Sequence, residues 1–95
     1  MLTDIATLIP TTDLATCIEV VRRDAAAINA AAQGLEAPEA TAARKAVKAV
    51  YNRLQYLRKE EDRLSQYWRE VELKAAAADL DAAASFLAAA REVEA

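Results

Sequence analysis

Residues 39–74 read EATAARKAVKAVYNRLQYLRKEEDRLSQYWREVELK, with neither glycine nor proline. Apolar side chains recur through them at alternating intervals of four and three: Ala43, Val47, Val50, Leu54, Leu57, then Leu64, Trp68 and Val71. Such spacing keeps one face of an α-helix apolar along its length. The rung between Leu57 and Leu64 breaks the rule, because it is Glu61.

A second ladder precedes it: Leu14, Ile18, Val21, Ala25, Ile28 and Ala32, with Cys17 on the same face. It predicts a helix over 12–33. Thr11, Thr12 and Asp13 supply side-chain oxygens for the free N–H groups at its start. Gly34, the only glycine, stands where a left-handed C-cap is expected. Pro38 suits the first turn of the next helix. A connection as short as 34–38 makes antiparallel neighbours. Setting Ala32 opposite Ala43 then puts Ile28 opposite Val47, Ala25 opposite Val50, Val21 opposite Leu54 and Ile18 opposite Leu57. The next pair is Leu14 with Glu61. One reading places the Glu61 carboxylate at the positive, unpaired N–H end of the partner helix. The other leaves it turned to solvent.

On either side of this hairpin the pattern changes. Leu2, Ile5, Leu8 and Ile9 predict a short helix over 2–9, stopped by Pro10. After residue 73 a different stripe begins, with Leu73, Leu80 and Leu87 at seven-residue intervals and alanines between, while Phe86 and Val93 stay nearer the first stripe. The C-terminal third is therefore apolar on more than one face. Either one helix runs over 39–92, or it breaks near 78–79, where Asp79 can cap a separate last helix. The lack of Gly and Pro favours continuity or a mild bend.

Composition agrees with an all-α fold. The 95 residues include 25 alanines, two prolines and no histidine, and alanine is the strongest helix former. A chain of this length makes a single domain over 1–95. The start of the chain has no positive segment leading an apolar core, so no signal peptide is expected. No apolar run approaches ~20 residues, so no membrane span is expected. The lone Cys17 leaves no intramolecular disulfide to form, and a reducing setting, cytoplasm or virion, follows.

Catalysis is not expected. With no histidine there is no side chain that ordinarily titrates near neutral pH. Cys17 sits on the core ladder without a base in its own turn, and Ser65 and Ser85 have no base beside them. Neighbouring acids such as Glu60, Glu61 and Asp62 point apart on a helix and do not chelate. No metal, cofactor or phosphate-loop motif is present.

Charge is unevenly placed. Residues 44–59 hold six bases and no acid, whereas 1–43 carry a net −4 and 60–95 a net −5, within an overall −3. Lys45, Lys48, Asn52, Gln55, Lys59 and Arg63 line the helix face away from the ladder, with Tyr56 at its edge. Such a stripe can be an ordinary solvated face, a grip for an acidic partner surface or neighbouring subunit, or a phosphate grip on nucleic acid. The net negative charge argues against nucleic acid as the main partner. Acidic ends with a basic middle also suit staggered self-association.

Length and hairpin form are similar to the small secreted WXG-type proteins, but Trp68 is followed by Arg69 and Glu70 inside a helix, without the Trp-x-Gly turn. Small alanine-rich acidic helical proteins are common among phage virion adaptors, assembly factors and inhibitors, an analogy of composition alone. The expectation is an all-α antiparallel hairpin, about 12–33 and 39–74 or beyond, with a short N-terminal helix and an Ala/Leu-rich C-terminal helix or extension. Its expected role is non-enzymatic, as an oligomeric structural or assembly protein. Leu64, Trp68, Val71, Leu73, Leu80 and Leu87 are the expected self-association residues, since the short helices cannot cover them. The alternative is a small inhibitor or adaptor using the basic stripe. Val21→Asp and Leu54→Asp should each cost several kcal/mol in a denaturant titration, by burying an unpaired charge at a paired rung.

Overall fold

The structure, a computed structural model, describes residues 13–94, so the helix expected over 2–9 lies outside the described residues. Three helices follow in order, with no strand among the described residues: α1 (Leu14–Ala32), α2 (Pro38–Glu60) and α3 (Gln66–Glu94). The all-α class, the α1–α2 hairpin and the alanine-rich C-terminal helix are as expected.

Helix α1 begins at Asp13, whose extended backbone (φ −69°, ψ 161°) and side chain make an N-cap. Asp13 Oδ1 accepts from the Thr16 N–H at 2.7 Å, and that bond holds the Asp13 carboxyl below its usual pKa. Glu61, which one of the two readings placed at this end, is exposed as in the other and closes α2 as its C-cap residue. The hairpin register agrees with the ladder pairing at both ends. Arg44 Nη1 donates to the Ala32 carbonyl at 2.8 Å, and Arg58 approaches Glu19 at 3.9 Å. Every rung of both ladders from Ile18 to Ala32 and from Ala43 to Leu57 is buried.

Two turn details differ from expectation. No described residue has a positive φ, Gly34 included. Helix α1 ends at Gln33 in the right-handed region (φ −61°, ψ −34°). The Ala32 carbonyl is satisfied by the Leu35 N–H at 3.2 Å and by Arg44, so no left-handed residue is required. Ala37 is extended (ψ 148°), as a residue before proline must be. It offers no side-chain cap to α2. Glu94, at the far end of α3, holds the connection just ahead of it: its Oε1 accepts from Glu36 N–H at 3.0 Å and its Oε2 from Ala37 N–H at 3.2 Å.

The larger difference is at 61–65. Neither a helix over 39–92 nor a break near 78–79 is present, and Ala78 and Asp79 lie mid-helix in α3. The chain turns instead at Glu61–Ser65. The Glu60 carbonyl accepts from the N–H groups of Arg63 (2.9 Å) and Leu64 (3.1 Å). Ser65 then starts α3: its carbonyl accepts from Arg69 N–H at 3.0 Å, and its Oγ from Trp68 N–H at 3.4 Å. Arg69 Nε reaches back to the Glu61 carbonyl at 3.1 Å.

The reason is the change of stripe. On one continuous helix Leu73 would sit about 160° round from Leu57, facing water. Folded back, Leu73, Ala76, Leu80, Ala83, Leu87 and Ala90 are all buried. Burying three leucines is worth roughly 1.5–3 kcal/mol each. The two or three backbone hydrogen bonds surrendered at a turn are worth about 1 kcal/mol each. Burial wins. Counted outward from the turn, the buried positions of α2 (Leu57, Leu54, Val50, Val47, Ala43, Ala40) and of α3 run at the same intervals. The two helices present mirrored faces to each other, and α2–α3 is the most extensive helix pair. Across it, Arg53 Nη1 bonds Glu72 at 3.0 Å and Nε approaches Asp79 at 3.4 Å.

A Cβ at Gly34 would meet nothing within 4 Å, and the backbone there is accessible to any residue. Gly34→Ala is therefore expected to stabilise the protein by about 0.4–1 kcal/mol by restricting the unfolded chain, seen as a raised denaturation midpoint.

Candidate interaction surfaces

Two faces of the bundle stand out. The first is the outward side of α2. Lys45, Lys48, Asn52, Gln55, Tyr56 and Lys59 are all exposed there, because the ladder opposite them is held in the core. Arg63 lies past the helix end, in the turn, 3.6 Å from Glu60. The bases of this region divide by type. Arg44, Arg53 and Arg58 reach the Ala32 carbonyl and Thr41, the Glu72 and Asp79 pair, and Glu19. Lys45, Lys48 and Lys59 make no ion pair among the described residues. The structure thus places three uncommitted ammonium groups on one face.

The second face is the outer side of α3. Tyr67 is 65% exposed, Trp68 53%, Phe86 41% and Val93 62%. The rings of Tyr67 and Trp68 meet edge to face, 5.2 Å apart at 80°. Trp68 and Phe86 are about five whole turns apart, so they point the same way. Val71, Ala75, Ala78, Ala82, Ser85 and Ala89 fall within the same sector, about 100° wide. No charged residue enters that sector between Gln66 and Glu94.

The expected self-association set divides between inside and outside. Leu73, Leu80 and Leu87 are in the core, 3%, 1% and 7% exposed. Their own bundle covers them, because the turn at 61–65 brings α2 over them, so they cannot serve another copy. Leu64 packs partly against the core, Val71 is half-buried and Trp68 is exposed. Phe86 and Val93 belong with Trp68, and the signal was their shared phase with the Trp68–Val71 stripe.

Other features give no site. Cys17 is buried, and burial first, then the Asp13 charge, push its thiol pKa up, which keeps it protonated. Among the described residues no three acidic or thiol groups converge to hold a metal ion, and no helix is long and apolar enough to cross a membrane. A shallow apolar groove between α1 and α3 is lined by alanines over the buried Ile28 and Leu87, with Asp24 and Arg91 also lining it. The chain matches no family model, no curated protein and no solved structure.

Inner and outer stripes of α3 should separate cleanly under mutation. Leu80→Ala is expected to cost about 2–5 kcal/mol through a core cavity, whereas Phe86→Ala should cost less than about 1 kcal/mol, both from denaturant midpoints in dilute solution.

Proposed function

We propose that this chain is a non-enzymatic structural or assembly protein that works through helix–helix contacts as an oligomer. The outer face of α3 carries this reading. A face about 38 Å long that lacks charge, with Trp68, Phe86 and Val93 standing out from it, is costly to leave in water and matches the aromatic anchors of protein interfaces. The composition suits a small virion or assembly component of a phage. Light scattering at about 100 µM is expected to give a mass above the 10.3 kDa of one chain. A monomer at all concentrations, with a cooperative melt, would remove self-assembly as the role.

A second reading rests on the α2 stripe. Lys45, Lys48 and Lys59, uncommitted and exposed, suit the acidic surface of another protein, as in an adaptor or inhibitor. Binding of that kind weakens steeply as salt rises, and reversing the three lysines to glutamate should abolish it.

A further inference from the structure

We propose that residues 2–9, which lie ahead of the described residues, dock as a further helix in the groove between α1 and α3, folded back antiparallel to α1. The inference stands apart from the assembly reading, which concerns a different face of α3.

Helices α1 and α3 are the least closely packed of the three pairs, and the groove between them opens at two hollows. The near one is lined by Asp13, Leu14, Cys17 and Leu73, with polar groups of the turn and of early α3. The far one is the alanine-lined hollow over Ile28 and Leu87. The α1 linings of the two hollows share one angular phase, and so do the α3 linings, so the hollows are two ends of one groove. Val20 and Ala77 lie between them, partly buried against the core. Glu70 stands at the near end and Asp24 and Arg91 at the far end, but the floor is apolar and its outer side chains are small.

The course of the chain selects the occupant. Asp13, the first described residue, itself lines the near hollow, so the preceding residues leave from the mouth of the groove. Length agrees. The steps from Ile9 to Asp13 allow up to about 14 Å, enough for a sideways step of about 9 Å between packed helices and about 10 Å along the groove. A helix from Ile9 back to Leu2 adds about 10 Å. Leu2 then comes level with Asp24 to Ala27, about 16–21 Å along α1 from Asp13, inside the far hollow. Shape agrees too. On a helix Leu2, Ile5, Leu8 and Ile9 share a sector about 120° wide, with Thr3, Asp4 and Thr7 on the other side. Large aliphatic side chains therefore meet small ones, as close packing requires. A helix this short is marginal alone in water. Tethered, it docks at an effective concentration on the order of millimolar, and so needs less buried area than a separate chain. The flank between α1 and α2 is walled by Arg22, Gln55 and Arg58 and suits an aliphatic stripe less well.

The test is nuclear magnetic resonance on the full chain with labelled methyl groups. Overhauser contacts are expected from Leu8 and Ile9 to Val20 and Ala77, and from Leu2 to Ala27 and Ala84. Ile5→Asp, with helix content retained by circular dichroism, should remove these contacts and lower the denaturation midpoint. Thr3→Asp, on the outward side, should leave the contacts in place. In a mixture of labelled and unlabelled chains, contacts found only between chains would give the groove to a second copy and overturn the proposal. Contacts to the α1–α2 flank, at Tyr51 and Leu54, would overturn it as well, as would the lack of any contact from residues 2–9 to a helix. The assembly reading would survive each of these results, because it rests on Trp68 and Phe86.

Discussion

The turn between Glu60 and Gln66 governs the rest of the molecule. It contains neither glycine nor proline and no left-handed residue, so nothing in its own backbone compels the chain to reverse. The compulsion comes from outside it. Leu57 and Leu73 are nearest the turn in two sets of buried side chains that mirror each other, and only a reversal brings those sets face to face. Ser65 accepts the first N–H groups of α3 and Arg69 covers a carbonyl left by α2, which makes the reversal affordable. Everything else, including which face of α3 meets water, is then determined by that choice of phase.

Much of this was legible in the chain. The hairpin register emerged from two ladders and one short connection, and the bonds from Arg44 to Ala32 and from Arg58 toward Glu19 agree with it. Glu61, read as one rung of a helix that continues past it, is where the hairpin's second arm ends. The reversal itself was harder to see, because its two signals looked like something else. Ser65 read as an isolated hydroxyl when it was an N-cap. The jump from the Trp68 stripe to the Leu73 stripe read as a helix apolar on two faces, when a stripe that changes phase across a polar run is what a new helix in a new direction produces. Gly34 misled in the other direction: a lone glycine after a helix suggests a left-handed cap, but an arginine one helix away satisfied the carbonyl first.

The same confusion of phase explains the candidate sites. The leucines of α3 appeared to need company and found it inside their own bundle. The alanines appeared to be filler, yet those in phase with Trp68 and Phe86 form the long uncharged exterior. The α2 stripe was read correctly as an outward face, since the ladder opposite it left no other place for it. What the sequence could not separate was arginine from lysine in role. The guanidinium groups of Arg44, Arg53 and Arg58 span helices, as a forked, planar donor can, while the lysine ammonium groups remain in water.

Glu94 introduces a dependence of another kind. The N–H groups of Glu36 and Ala37, just ahead of α2, find their acceptor 58 and 57 residues further along the chain. Helices α1 and α2 are joined directly, but two N–H groups of the connection between them are bonded only when the last turn of α3 is docked. The connection between α1 and α2 is thus tied to the far end of α3, and fraying there frees both of its N–H groups.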